Sequence, residues 1–275
     1  MRVLGRADLA AFLALSAQDP TVNVFAEYRA RSTALEPRWL GGEVWGRFVD
    51  GELVAACHAA ANLVPVGCDE ESARVFARHA REQRRRPTTI VGLSDAVGWF
   101  VDELDGAWGT PRDARWQQPH LEYVGPSRID PDPWVRVSTM ADLEVLYPAC
   151  VAMYTEEVGT SPEVAGGAEL YRARVKQLIG RRWSFVRFDD DGRLLFKAEV
   201  ACASPYAAQV QGVWVPPELR GRGLASAGMA AVAEAVREEI APVVALYVNE
   251  WNTGARRVYE RVGFVETARF STLMF

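Results

Sequence analysis

The segment Arg220–Ala225 (Arg-Gly-Arg-Gly-Leu-Ala) constrains the fold of this 275-residue chain most, because a strand pattern precedes it and a helix pattern follows it. Residues 209–215 alternate polar and apolar side chains, which indicates a strand. Glycines allow a tight turn, and the first turn of a helix offers unpaired N–H groups and partial positive charge. The segment therefore predicts a phosphate-binding site. The helix pattern, within residues 226–239, places apolar side chains at helical spacing: Met229, Val232, Ala233 and Val236.

Two common phosphate-binding motifs do not fit this segment. A dinucleotide-binding loop would need a third glycine at the position of Ser226, and a P-loop would need Lys followed by Ser or Thr. The pattern that remains is Arg220-x-x-Gly223-x-Ala225. It resembles the acetyl-CoA motif, Arg/Gln-x-x-Gly-x-Gly/Ala, of the GNAT superfamily (Gcn5-related N-acetyltransferases).

A second motif downstream is similar to the same family. Residues 243–248 are β-branched and aromatic and predict a strand. Residues 249–254 (Asn-Glu-Trp-Asn-Thr-Gly) follow as a loop, and an amphipathic helix that carries Tyr259 ends at Gly263. A strand, Asn-x-x-Asn and a helix with this tyrosine form the family's usual second acetyl-CoA motif. A last strand at about 268–275 completes the resemblance.

The expected fold class is α/β (α+β), with mixed β-sheets flanked by helices. The resemblance implies that residues 134–275 form a full acyl-CoA N-acyltransferase fold. Residues 1–125 repeat the order hairpin, strand, helix, strand, helix, but they lack the glycine-rich loop. We interpret them as a degenerate GNAT-like domain that has lost cofactor binding, as in two-domain members of actinobacterial type; an unrelated α/β domain is the alternative. The proline-rich segment 125–133 predicts the linker.

Composition argues against several function classes. A net charge of −5 disfavours nucleic-acid binding, and the arginine run at 84–86 is expected to end a helix at the surface. Four widely spaced cysteines and three histidines show no metal-ligand spacing, so we expect no metal and no disulfide. No apolar run approaches the roughly 20 residues of a membrane-spanning helix, and no signal peptide is recognised. We therefore expect a cytoplasmic protein without a membrane partner.

The resemblance implies acetyl-CoA as the cofactor. The amides of 221–225 and the side chains of Arg220 and Arg222 would surround the pyrophosphate, because arginine matches phosphate geometry. The backbone of Val213–Val215 would pair with the pantetheine arm like an added strand, and one of its N–H groups would polarise the thioester carbonyl. The full expected set is Val213, Trp214, Val215, Arg220, Gly221, Arg222, Gly223, Leu224, Ala225, Ser226, Asn249, Asn252 and Tyr259.

Tyr259 is the expected general acid. A phenol with an ordinary pKa of about 10 is protonated at neutral pH and can donate to a leaving thiolate. A core tyrosine without a catalytic role is the alternative. The resemblance also places Asn252 near the reacting end of the cofactor.

The general base is less clearly marked. Many relatives carry a glutamate eleven positions before the first residue of the motif, but Gln209 stands there, and an amide cannot take a proton. Glu199 is the main candidate, because a carboxylate in mid-strand is unusual. Its alternative role is a buried carboxylate satisfied by Lys197, Gln209 or a neighbouring strand. The pair Glu156-Glu157, a water chain and the carboxylate of Phe275 are further candidates.

Residues 154–159 are interpreted as a loop after a helix, at the place where relatives bind the acceptor. Acidic side chains in and near this segment, Glu163 among them, favour a cationic acceptor. The expected acceptor-binding residues are Tyr154, Glu156, Glu157 and Gln211.

These expectations combine into an N-acetyltransferase that moves the acetyl group of acetyl-CoA to a primary amine of a small molecule or peptide by direct attack. The alternative is a catalytically silent CoA-binding sensor or scaffold, which Gln209 favours and Asn252 and Tyr259 disfavour. Transfer of a longer acyl group and acetylation of a protein lysine stay open, as does the identity of the acceptor. A homodimer is among the assemblies that relatives form.

Overall fold

The computed structural model describes residues 1–83 and 87–275, so the arginine run at 84–86 lies outside the described residues. The chain divides into two compact units. Unit 1 comprises residues 1–122, 247–253 and 266–275, and unit 2 comprises residues 123–246 and 254–265. The expected domains, 1–125 and 134–275, follow the chain in order, whereas the last strand and the segment 247–253 lie in unit 1.

The elements up to residue 123 are β1 (Arg2–Val3), α1 (Leu9–Ser16), α2 (Val24–Thr33), α3 (Pro37–Leu40), β2 (Glu43–Val49), β3 (Glu52–Ala59), β4 (Asn62–Val66), α4 (Glu70–Glu82), β5 (Thr89–Leu93), α5 (Ser94–Leu104) and β6 (Asp113–Tyr123). The later elements are β7 (Arg136–Val137), α6 (Leu143–Val158), α7 (Ala168–Gly180), β8 (Ser184–Phe188), β9 (Leu194–Ala203), β10 (Ala207–Trp214), α8 (Leu224–Glu239), β11 (Val243–Tyr247), α9 (Thr253–Val262) and β12 (Val265–Met274). Short 3-10 turns precede α1, α6, α7 and α8.

Unit 1 is a mixed sheet with helices on both faces. Its strands lie in the order β1-β2-β3-β4-β5-β12-β6. Successive residues of β3 point to opposite faces: Ala55 and Cys57 pack with α4 and α5, whereas Ala56 packs with α1 and α2. Strand β12 belongs to this sheet because it pairs antiparallel with β5, from Phe270 opposite Leu93 to Met274 opposite Thr89.

Unit 2 contains the order β11-β10-β9-β8-β7. Strands β7 to β10 are antiparallel neighbours, and β10 and β11 are parallel. Helix α8 packs closely on β9, where a Cβ on Gly228 would lie 2.8 Å from the ring of Phe196. A buried cluster that includes Leu146, Cys150 and Val175 joins α6 and α7 to the strands. Because side chains alternate along β9, residues on either side of Phe196 face away from α8.

Both units follow one element order, and a local motif marks the start of each repeat. Arg2 in β1 forms a bidentate pair with Asp8, which also accepts the backbone N–H three residues before it at 2.9 Å. Arg136 in β7 pairs with Asp142 in the same way, and the corresponding N–H lies at 2.7 Å. The sequence behind both motifs is Arg-Val-x-x-x-Ala-Asp-Leu. The recurrence of these contacts at the same spacing marks the two units as structural repeats.

The second copy of this motif predicts a pH-dependent contribution to stability. Hydrogen bonds from Arg136 lower the pKa of Asp142 from 3.8 to about 2. A lowered carboxyl pKa stabilises the folded state above the unfolded pKa, and this contribution fades as the pH falls from about 4 to 2. We expect Asp142→Asn to lower the free energy of unfolding by about 1–2 kcal/mol at pH 7, allowing for the half-exposed Arg136. Urea unfolding at pH 7 and pH 3 measures this, and an equal loss at both would contradict the linkage.

Two local expectations need correction. Residues 154–158 form the last turn of α6 rather than a loop, and the helix ends at Gly159, which adopts a φ of +77°. Glycine takes this left-handed conformation without a Cβ penalty, so it sets the end of the helix beyond the last clear apolar position. Strand β6 has no counterpart among the strands predicted from the sequence, since Pro119 is disfavoured inside a strand. In the structure, Gln117 in this strand adopts a φ of +56°. Among the described residues, every helix is too short or too polar to cross a bilayer.

Candidate active site

Strand β10 leaves part of one edge open. Its antiparallel pairing with β9 extends to Trp214, but its parallel pairing with β11 ends at Gln209. The register with β9 shifts between Gln211 and Trp214, and within this bulge Gly212 adopts a φ of +62°. In the part of the chain that the structure describes, the β11 side of β10 therefore carries no ladder partner after Gln209. Unpaired backbone groups at such an edge can accept an extended ligand as an added strand.

The end of β10 leads through a short turn into the N-terminus of α8. Gly221 and Gly223 adopt φ values of +77° and +83°, and no heavy atom beyond their chain neighbours lies within 4 Å of a Cβ built on either. Helix α8 begins at Leu224, and the N–H of Ser226 donates to the carbonyl of Gly223 at 3.0 Å. The loop of Gly221 to Gly223 is thus exposed at the N-terminus of the helix, which is the arrangement that binds anions.

Arg220 is held by an acidic residue of α6. Its two Nη atoms donate to Glu156 at 2.8 and 2.7 Å, and its Nε donates to the carbonyl of Val215 at 3.1 Å. The indole of Trp214 donates to the same carboxylate at 3.1 Å. These hydrogen bonds, that of Arg220 above all, lower the pKa of Glu156. Arg222 is exposed, and its Nη2 reaches the carbonyl of Glu218 at 3.4 Å.

Glu199 lies inside unit 2, on the face of β9 opposite α8. Its side chain is 7% exposed; one oxygen accepts Nε2 of Gln211 at 2.7 Å, and the other lies 3.5 Å from Nζ of Lys197. The guanidinium of Arg174 approaches the first oxygen at 3.9 Å. A Cβ on Gly212 would lie only 3.1 Å from the carboxyl carbon. The carboxylate is therefore in contact with the bulge of β10.

Tyr259 lies on the buried side of α9 and packs against the ring of Phe264. Burial, and next the charge of Glu157, raise the pKa of Tyr259 well above its ordinary value. The phenol therefore stays protonated through the physiological range, and Glu157 is near enough to affect it.

Aromatic side chains lie beside Glu199. Tyr154 makes an edge contact with Tyr171, whose hydroxyl donates to the carbonyl of Cys150 at 3.0 Å. Burial chiefly raises the pKa of Tyr171, with smaller contributions from Cys150 and Glu199. The structure thus places Gln211 on Glu199 and Tyr154 on Tyr171, whose pKa is affected by Glu199, while Glu156 is engaged with Arg220.

The two asparagines of the second motif lie in the segment 247–253 of unit 1. Asn249 is buried, and its Oδ1 accepts Nε2 of Gln118 at 2.8 Å. The other amide atom of Gln118 accepts the hydroxyl of Thr272 at 2.6 Å. Asn252 is exposed, and its N–H donates to the carbonyl of Asn249 at 3.0 Å. Asn249 thus has structural partners in unit 1, and the cofactor roles expected of both asparagines stay predictions.

The corresponding place in unit 1 is chemically different. Helix α4 follows β4 as α8 follows β10, but it begins with Asp69, Glu70 and Glu71. Asp69 caps the helix by accepting the N–H of Ser72 at 2.8 Å, and Arg47 pairs with Glu71 at 2.6 Å. Its own carboxylates already occupy the positive end of this helix, which disfavours a phosphate there.

The model of the acetyltransferase (GNAT) family matches residues 130–264. Residues 130–264 therefore belong to the GNAT family. A second model, for a domain of unknown function (DUF4081), matches residues 42–146 and so covers most of the first GNAT-like repeat. No curated protein matches the sequence.

Solved GNAT structures share the complete tandem fold. An acetyltransferase from Colwellia psychrerythraea has a TM-score of 0.61 at 12% identity, covering 100% of this chain and 98% of its own. A GCN5-related N-acetyltransferase from Sphaerobacter thermophilus has a TM-score of 0.60 at 17% identity, with coverages of 99% and 93%. A tandem GNAT protein from the clavulanic acid biosynthesis pathway has a TM-score of 0.58 at 16% identity, with coverages of 98% and 97%. At these low identities, the structural similarity shows a shared fold of two GNAT-like units, and it does not show a shared substrate or mechanism.

Sequence reasoning missed one contributor to this site, Arg174, and named Lys197 only as a possible partner of a buried Glu199. Lys197 has no exposed side-chain surface and contacts both Glu199 and the bulge. Its signal was present in the sequence as a second charged residue in the middle of a strand, two positions from Glu199. Arg174 is half exposed on α7, where helical periodicity alone does not distinguish it from other surface arginines.

Proposed function

We propose that unit 2 binds acetyl-CoA and transfers its acetyl group to a primary amine of a small molecule or peptide. One observation carries this proposal: the open, bulged edge of β10 leads directly into the anion-binding N-terminus of α8. An extended pantetheine arm can pair with the open edge as an added strand, and a pyrophosphate can bind the helix N-terminus that follows it.

The residues present fit this cofactor. The backbone of Val213–Val215 lies at the open edge, where it would hold the pantetheine amides. Gly221 and Gly223 leave open space at the start of α8, so phosphate oxygens can approach the amides of 221–226 without meeting a side chain. Arg222 is free to swing toward a phosphate, whereas Arg220 would have to leave Glu156 or share it.

Glu199 is the proposed general base. Acetyl-CoA supplies the acetyl group as a thioester: the amine nitrogen forms the new C–N bond, the C–S bond breaks, and its electron pair leaves with the thiolate. The contact of Glu199 with the bulge that would hold this thioester supports this role. A carboxylate there can accept the proton that the amine loses, directly or through one water.

Tyr259 is the proposed general acid. Its raised pKa keeps the hydroxyl protonated, so a proton is ready for the departing sulfur. The charge of Glu157 contributes to that raised pKa, so Glu157 lies close to the proposed acid, and its expected part in acceptor binding stays a prediction. Proton transfer then balances: Glu199 gains one proton from the amine and Tyr259 gives one to sulfur.

The acceptor site is proposed to lie between Tyr154, Gln211 and Glu199. The acidic residues that favoured a cationic acceptor are largely paired: Glu156 binds Arg220, and Glu163 accepts the hydroxyl of Tyr147 at 2.9 Å. The charge argument for a strongly cationic acceptor is therefore weaker than the sequence indicated, and a neutral or zwitterionic amine fits as well.

Titration calorimetry with acetyl-CoA tests the cofactor proposal. The intact chain is expected to bind one equivalent, and Gly223→Asp is expected to weaken binding at least about tenfold, because it adds a negative charge at the helix N-terminus. Gly223→Asn is the matched control, since asparagine has the same shape, tolerates the left-handed conformation and adds no charge. Binding of two equivalents of acetyl-CoA would contradict the interpretation that the first unit has lost cofactor binding. Absence of binding would remove the proposal, and binding without turnover of any amine would favour the sensor alternative.

A further inference from the structure

Lys197 is the most unusual charged residue in unit 2. Its side chain is completely buried in mid-strand, and its Nζ donates to the carbonyl of Gly212 at 2.9 Å. The chain contains 29 arginines and only two lysines, Lys176 and Lys197. Lys176 lies exposed on α7. Lys197 is thus a buried ammonium that contacts both a carboxylate and a backbone carbonyl.

The geometry of the peptide bond gives this contact a direction. In a trans peptide the C=O of Gly212 and the N–H of Val213 belong to one planar group and point in opposite directions. Gly125–Pro126 is the cis peptide among the described residues, so the Gly212–Val213 bond is trans. Because the ammonium of Lys197, a residue of β9, binds the carbonyl, the N–H of Val213 points away from that ammonium; the open edge of β10 lies on the side away from β9.

We propose that Lys197 is a positioning residue of acyl transfer, which orients and polarises the Gly212–Val213 peptide group so that the N–H of Val213 donates to the acyl oxygen. This inference rests on the proposed function. A cation on the carbonyl end increases the dipole of the peptide, and hydrogen bonds in series strengthen one another at low dielectric. A donor fixed in advance stabilises the negative charge that develops on the acyl oxygen.

Stability alone does not explain this lysine. Replacing a buried ion pair with apolar residues of similar volume is often neutral or stabilising, so Lys197 and Glu199 are weak evidence for a structural role. The position of the contact explains it better, since the same ammonium reaches both the carboxylate of the proposed base and the carbonyl of the bulge. Lys197 thereby links the proton acceptor to the proposed acyl-binding peptide group.

The test combines kinetics with a signal from the lysine itself. Lys197→Met is expected to lower kcat about 10- to 30-fold, with the Kd for acetyl-CoA changed less than about threefold. Lys197→Gln, which keeps a donor without the charge, is expected to recover part of that loss. Lys176→Met is the matched control and should leave kcat unchanged. Full kcat in Lys197→Met would overturn the proposal.

The wild-type protein provides the readout that does not depend on the variants folding. With lysine labelled with 13C at its ε-carbon, the NMR spectrum contains one signal from each of the two lysines. Acetyl-CoA is expected to shift the signal of Lys197 and not that of Lys176. In 15N-valine samples, the amide of Val213 should shift with acetyl-CoA, and this shift should shrink in Lys197→Gln. A bound cofactor that leaves the Lys197 signal unmoved would refute the role of Lys197. Calorimetry that shows no binding at all would instead refute the proposed function.

Discussion

Tyr259→Phe is expected to lower kcat for acetyl transfer by about 10³-fold while changing the Kd for acetyl-CoA less than about threefold. The variant keeps the buried ring and its packing on Phe264, and it removes only the hydroxyl that would protonate the leaving sulfur. Thiol release measured at saturating substrates gives kcat, and calorimetry gives Kd.

The pH dependence sharpens this prediction. Because burial raises the pKa of Tyr259, the wild-type enzyme should lose no activity from this group below about pH 10, the ordinary pKa of a phenol. Tyr206→Phe, a change at a half-exposed tyrosine in the turn between β9 and β10, is the control and should leave kcat unchanged. A Tyr259→Phe variant with wild-type kcat would assign this tyrosine to the core alone.

Glu199→Gln is expected to lower kcat by about 10²–10³-fold at pH 7. Glutamine keeps the shape of the side chain and its contact with Gln211, but it cannot accept a proton from the amine. The loss should shrink as the pH rises toward the pKa of the acceptor, about 10.4 for a lysine-like amine, because the amine then arrives neutral. Rates across pH 6.5–9.5 with one amine acceptor measure this.

Glu169→Gln, at an exposed position in the first turn of α7, is the matched control and should have no effect. Equal rates for Glu199→Gln and the wild type over the whole pH range would exclude Glu199 as the base. Attention would then return to Glu157, or to a water chain in the site.

The second half of the fold could be predicted because its motifs are local. The strand at 243–247 follows from its β-branched and aromatic composition, and the phosphate loop follows from glycine placement and helical spacing. The end of α6 could not be placed in the same way, because Tyr154–Val158 carry no clear apolar face and only Gly159 marks the stop. Strand β6 could not be predicted for a related reason: tertiary pairing, and not a local sequence pattern, holds Gln117 and Pro119 in a strand.

The repeat at the start of each unit was visible in the sequence and was overlooked. Arg-Val-x-x-x-Ala-Asp-Leu occurs at 2–9 and at 136–143, but eight residues with three variable positions carry weight only when both copies make the same contacts. The cofactor-binding part of the site could be predicted, because Gly221 and Gly223 indicate a tight turn in the backbone. The hydrogen bond from Lys197 to the carbonyl of Gly212 could not be predicted, because no sequence pattern indicates a contact to the main chain.

Because β12 belongs to the sheet of unit 1, that sheet cannot be completed until the end of the chain has been synthesised. Strand β5 is synthesised early, whereas its partner β12 is synthesised only after residues 94–264. The sheet of unit 1 therefore stays incomplete when most of unit 2 has already been synthesised. Until then β5 presents an unpaired edge, which invites association with other chains. A ribosome-bound nascent chain would thus carry an open first unit for most of its synthesis, and a cut between the halves near residue 125 would leave that unit permanently without a central strand.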